Sequence, residues 1–249
     1  MAIARDASSP ATFTVATAGG GGDDPTGTSA SFTPPVGAVI TVAFAVDTNS
    51  GTTPTSTCSN TGFTVNSGGG WTQKELRGDA EGSGGYVVVF TGVVTASAAG
   101  TVTVQANNTG VPRISQVYGS AYVDVWTGAD TNQTGAADNE GSFTTNTFTS
   151  TALTTTRAGS QVVVIYGDWN ASGTPTTGQQ GTGFTGSFYS GIRTYQTNPV
   201  ASAGNVAGAF DGPGTGAVDV NWVAVEVLAP SGGGGGTSIL RQMMNYHGG

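Results

Sequence analysis

Residues 218–228 read "VDVNWVAVEVL". Successive side chains of a β-strand point to opposite faces, so residues two apart share a surface. After Asn221 both alternating sets are mainly apolar. A strand of this kind is expected at the centre of a sheet that protein covers on both sides. Glu226 interrupts the run. It is expected as a carboxylate at a rim or paired with an arginine, with a catalytic carboxylate as the minority reading.

The same period recurs outward from this strand. "ATFTVAT" (11–17), "AVITVAFAV" (38–46), "YVVVFTGVV" (86–94), "TVTVQA" (101–106), "AYVDVW" (121–126) and "QVVVIYGDW" (161–169) are strands by pattern. In "AYVDVW", Ala121, Val123 and Val125 share one face, and Tyr122, Asp124 and Trp126 share the other. Weaker candidates are "SASFT" (29–33), "GFTVN" (62–66), "WTQKEL" (71–76), "GSFTTNTF" (141–148) and "SFYSGIRTY" (187–195). Clusters of Gly, Asn, Asp and Pro separate them. About a dozen strands at this spacing point to an all-β chain. The expected fold is a single β-sandwich of jelly-roll type. An extended N-terminal arm covers residues 1–27, the body spans 28–230, and a glycine linker with a short helical docking tail occupies 231–249.

Composition narrows the function. Charged residues are 9% of the 249 positions, and the net charge is −8, against about 25% charged residues in an average domain. Lys74 is the one lysine. Phosphate backbones and anionic lipid surfaces require clustered cations, so nucleic acid and membrane surfaces are disfavoured. No apolar run approaches the roughly 20 residues of a membrane span, and membrane insertion is not expected. "MAIARDASSPATF" lacks the apolar stretch of a signal peptide. The expectation is synthesis in a host cytoplasm without a signal peptide. Cys58, the single cysteine, lies in the polar "TSTCSNTGF" between candidate strands and is expected to be an unreactive thiol.

Catalytic signatures are absent from the pattern. A serine hydrolase needs a base held against its nucleophile, and His247, the one histidine, follows a glycine run near the end. There is no G-x-S-x-G and no phosphate-binding G-x-x-x-x-G-K. No metal site and no cofactor are expected, and the chain is read as a non-enzyme. "DTNQTG" (130–135) alternates oxygen-bearing side chains as calcium loops do, but an EF-hand would place Glu where Gly141 stands. It is read as a loop of Asx turns. Asp79 and Glu81 form the nearest carboxylate pair for a glycosidase, in a glycine-rich loop. Asp168 and Trp169 in "YGDWN" are the better candidates for sugar contact, since an aromatic face beside a carboxylate suits a pyranose. Trp126 and Trp222 lie in apolar strands and are expected in the core.

The tail "SGGGGGTSILRQMMNYHGG" (231–249) pairs a flexible glycine tether with a nine-residue helical pattern. Ile239, Leu240, Met243 and Tyr246 fall on or near one face, and Met244 extends the adaptable methionine surface. So short a helix is not stable alone in water. These five residues are therefore the expected partner-docking set, with folding back on the chain's own body as the alternative.

Several stretches taken together resemble a known family. They are "FTPPVGAVITVAFAV" (32–46), "GGGWTQ" (68–73), "YVVVFTGVVTASAAGTVTV" (86–104), "AYVDVWTGAD" (121–130), "TTTRAGSQVVVIYGDW" (154–169) and "VNWVAVEVLAP" (220–230). Their order is similar to that of a virion β-sandwich family among the minor tail proteins of phages that infect actinobacteria. The resemblance covers residues 28–230 and carries no functional residues. It implies a non-enzymatic virion component on the tail or capsid exterior, in contact with other virion proteins. A homo-oligomer, with a trimer favoured, follows from the habits of virion fibres. The alternatives are a capsid decoration protein and a module that binds a host cell-surface glycan.

Overall fold

The computed structural model of the chain describes residues 2–16, 24–47, 55–66, 70–78, 85–107, 118–145, 147–149, 153–169, 174–175, 178–183, 189–206, 209–211 and 218–231. Every helix or strand among them is a strand, and the sheets are antiparallel. The first ten strands form one sheet: β1 (Ala4–Arg5), β2 (Phe13–Ala16), β3 (Thr26–Thr28), β4 (Val39–Asp47), β5 (Thr55–Asn60), β6 (Thr64–Val65), β7 (Thr72–Gly78), β8 (Gly85–Ala96), β9 (Val102–Asn107) and β10 (Tyr118–Thr127). Its order is β5-β9-β3-β2-β10-β4-β8-β6, with β1 on β10 and β7 on β8.

The later strands are β11 (Asp138–Thr145), β12 (Thr147–Thr149), β13 (Leu153–Thr155), β14 (Gln161–Trp169), β15 (Thr174–Pro175), β16 (Gln179–Gly183), β17 (Tyr189–Gln196), β18 (Gly204–Val206), β19 (Ala209–Asp211) and β20 (Val218–Val227). They build a second sheet, β11-β20-β14-β17-β16, and two small ones, β12-β19-β15 and β13-β18. The two main sheets thus come from consecutive stretches of the chain.

Alternation explains the layering. In β4 the even residues Ile40, Val42, Phe44 and Val46 enter a core enclosed by the first sheet itself. Its odd residues Val39, Ala43 and Ala45 enter the layer shared with the second sheet. All eight positions from Val39 to Val46 are at most 1% exposed. Burial of each large apolar side chain is worth about 1.5–3 kcal/mol, so β4 stabilises two cores at once. The first sheet curls far enough for Ser56 on β5 to donate to the Tyr86 hydroxyl on β8 at 3.0 Å. Likewise Trp71 Nε1 donates to Asn60 Oδ1 at 3.0 Å.

The expected two-sided strand 218–228 is confirmed. Val223, Val225 and Val227 of β20 face the shared layer, while Val220, Trp222 and Ala224 face a third cluster with Tyr166 and Ile192. Trp126 and Trp222 are core residues, 0% and 1% exposed. Trp126 Nε1 donates to Thr41 Oγ1 at 3.0 Å, which satisfies its one donor in the apolar layer.

The sheets come close together at Gly191 of β17. A Cβ there would stand 2.9 Å from the Ala45 Cβ and 2.9 Å from Ser120 Oγ. Gly191 N–H donates to Ser120 Oγ at 2.9 Å, and the Tyr122 hydroxyl donates to the Gly191 carbonyl.

Three expectations are corrected. Within the expected arm 1–27 the described strands β1, β2 and β3 belong to the body, since each pairs within the first sheet. Val15 and Ile3, 0% and 4% exposed, fill two different cores. "TSTCSN" is strand β5, paired with β9 from Thr55↔Asn107 to Asn60↔Val102, rather than a connection. "SASFT" supplies only the bridge Phe32↔Gly100. The tail from Gly232 onward, with Ile239, Leu240, Met243, Met244 and Tyr246, lies outside the described residues.

Candidate functional site

The expected sugar contacts Asp168 and Trp169 close β14, in register with Ser190 and Tyr189. One step earlier Gly167 pairs with Asn221, whose Nδ2 donates to the Gly85 carbonyl at 3.2 Å. Gly85 pairs with Asp47, so Asp168 and Trp169 mark the end of the sandwich where β4 finishes. Asp79 and Glu81 lie outside the described residues.

A cleft opens at the opposite end, where Val39 begins β4 and pairs with Val93. It has a volume of about 350 Å³ and lies between β7, β8 and the loop after β10. Thr72, Lys74 and Thr91 form one wall, and Thr131, Asn132 and Thr134 form the other. The loop is the "DTNQTG" stretch, and its construction matches the Asx-turn reading. Asp130 Oδ1 accepts from Asn132 N–H at 2.9 Å, and Asn132 Oδ1 accepts from Thr134 N–H at 3.1 Å. Gln133 donates to the Asp130 carbonyl and accepts from Leu228 N–H at 3.0 Å. Arg157 Nη1 donates to Asp130 Oδ2 at 2.5 Å and to the Ala229 carbonyl at 2.9 Å. The Asn132 amide and then the Arg157 guanidinium hold the Asp130 carboxyl below its ordinary value of 3.8. Among the described residues no group of three or more His, Cys, Asp or Glu side chains is arranged for a metal ion.

Beside the cleft, β7 and β11 join the two sheets through charge. Lys74 Nζ is 3.8 Å from Asp138 Oδ2, and Arg77 Nε is 3.3 Å from Glu140 Oε2. Burial, then the charges of Asp138 and Glu140, push the Glu75 carboxyl up.

Two further carboxylates are buried deeper. Asp124, 1% exposed, faces the shared layer between Tyr122 and Trp126. Arg5 Nε donates to its Oδ1 at 2.5 Å, and Arg193 Nε lies 3.2 Å from its Oδ2. The Arg193 guanidinium carbon stands 5.4 Å and 5.0 Å from the ring centres of Tyr122 and Tyr195. Glu226, also 1% exposed, has no ion pair with an arginine side chain among the described residues. Its oxygens accept from Ala137 N–H at 3.0 Å, Thr156 N–H and Oγ1 at 3.0 Å, and Arg157 N–H at 3.2 Å. Both residues hold backbone segments together.

Sequence reasoning placed Asp124 on the correct face but missed its burial. The available signal was a charge flanked on that face by Tyr122 and Trp126. It flagged the loop 130–135 without the cleft, since the facing wall comes from β7 and β8. Cys58 packs against the core of the first sheet, and burial pushes its thiol well above its ordinary value. No protein-family model, no curated protein and no solved structure matches the chain.

Proposed function

We propose that this chain is a non-enzymatic structural protein of a phage virion, a minor tail protein on the particle exterior. One observation carries most of the support: the described surface is almost free of apolar side chains. Among the described residues Val36, at 64%, is the one large hydrophobic side chain that is exposed. A polar exterior over three buried apolar cores suits a part that packs by shape among other virion proteins. The buried carboxylates Asp124 and Glu226 are engaged by arginines and amides, which is structural rather than catalytic work.

On this reading the first sheet is a jelly-roll winding around its own core, an architecture used by capsid and lectin domains. Anchoring falls to residues 231–249, with a helix over Ile239, Leu240, Met243, Met244 and Tyr246 formed in a partner's groove. Copies associate on this reading, and the trimer favoured among the possible oligomers follows the habits of virion fibres rather than any residue of the chain. A capsid decoration role keeps the same chemistry and differs only in location.

The deciding experiment is truncation after Pro230, followed by folding assays and by mass spectrometry of purified particles. A folded, truncated protein that no longer enters particles supports the anchor. Normal incorporation removes the anchor, and absence of the full chain from particles removes the virion reading altogether.

A further inference from the structure

We propose that the cleft between β7, β8 and residues 131–134 binds a neutral, polyhydroxylated ligand, the terminal sugar of a glycan. The inference does not depend on the virion reading. It also places sugar contact at the end of the sandwich opposite Asp168 and Trp169.

The volume of about 350 Å³ falls at the lower end of the range of small-molecule sites. The walls converge on the space with hydroxyl and amide groups, and the Thr72 and Thr131 hydroxyls have no partner among the described residues. The scaffold is built in advance. Two consecutive Asx turns and the Arg157–Asp130 pair hold one wall. On the other side, Asn66 Nδ2 donates to the Gly70 carbonyl at 2.6 Å and its Oδ1 accepts from Val93 N–H at 2.9 Å. Rigid walls reduce the ordering cost of binding.

Charge selects a neutral ligand. Lys74 is the one cation among the lining residues, and Asp138 faces it at 3.8 Å. A net charge of −8 repels an anion from the remainder of the molecule. Affinity is weak because no aromatic side chain lines the cleft. Hydrogen bonds exchanged with water yield little net, so the expected Kd is on the order of millimolar. Useful adhesion then requires many copies presented together.

The test uses the full chain labelled with ¹⁵N. The neutral probes are the methyl glycosides of glucose, galactose and mannose. Glucuronate is the anionic control and sorbitol the open-chain control. The expected result is amide shifts confined to residues 72–74, 91–93 and 131–134 with at least one methyl glycoside. T72V and T131V each weaken that binding about five-fold, the loss of one hydrogen bond, while T131S retains it. Three outcomes overturn the proposal: no shifts up to about 100 mM methyl glycoside, shifts unchanged in T72V/T131V, or equal or tighter binding of glucuronate or sorbitol.

Discussion

Asp124 and Glu226 are equally buried, yet they are stabilised in opposite ways. Asp124 meets two guanidinium groups brought from β1 and β17, segments far apart in the chain. Glu226 meets amide and hydroxyl dipoles, most of them from residues 156 and 157. The first arrangement buries full charges whose cost is offset only while every partner is present. The second distributes one charge over a loop that folds around it. Distant segments are therefore joined by charge, and a local turn is shaped by hydrogen bonding.

The largest effect is expected from Asp124→Asn, which leaves Arg193 buried at 4% exposure without a counter-charge. The loss should be about 3–5 kcal/mol, measured by urea unfolding. Replacing the cluster together, as Arg5→Met, Asp124→Leu and Arg193→Met, should restore most of it, since well-packed apolar substitutes for buried ion pairs are often neutral. A single-variant loss below about 1 kcal/mol would contradict the charge argument.

Glu226→Gln should cost less, about 1–3 kcal/mol, and should act locally. Hydrogen exchange at the amides of Ala137, Thr156 and Arg157 is expected to rise while the β4 amides stay protected. Equal loosening of both regions would erase the distinction between the two carboxylates.

Asp130 sharpens the comparison at the surface. Its carboxyl is held below 3.8, so its contribution is present above that value and fades as the pH falls through the folded-state value. Asp130→Asn should lower stability by about 1 kcal/mol or less at neutral pH, since the pair is only partly shielded from solvent. Thermal midpoints of the two proteins should converge towards pH 2. Parallel curves across the acid range would remove the role assigned to this carboxylate.

The smallest effect concerns Cys58. Burial raises its thiol, so reaction with a disulfide reagent at neutral pH should be much slower in the folded protein than in urea. Equal rates would mean that the core of the first sheet does not cover this side chain.

The long strands were legible because alternation is a local property. Residues 38–46, 86–94, 121–126 and 218–228 carry two apolar sets, and each set lies against the core its parity assigns. The short and polar strands were not. Ala4–Arg5 is too brief to show a period, and Thr55–Asn60 exposes every second residue and shields the rest only partly. Their pairing depends on β10 and β9, which no local pattern names. The candidate cleft was half legible. The Asx chemistry of 130–135 stood in the sequence, but its position opposite Thr72 and Lys74 is a property of tertiary structure. The Asp124–Arg193 contact escaped for the same reason.

The close approach at Gly191 has a mechanical consequence. Two sheets in contact only through aliphatic side chains can slide over one another, because apolar attraction has no direction. Here the Tyr122 hydroxyl, Ser120 Oγ and the Asn221 amide each bond backbone of the facing sheet. Shear along the strands has to break these directional bonds at nearly the same displacement. The sandwich should therefore behave under load as one stiff block that yields abruptly, with little creep before failure.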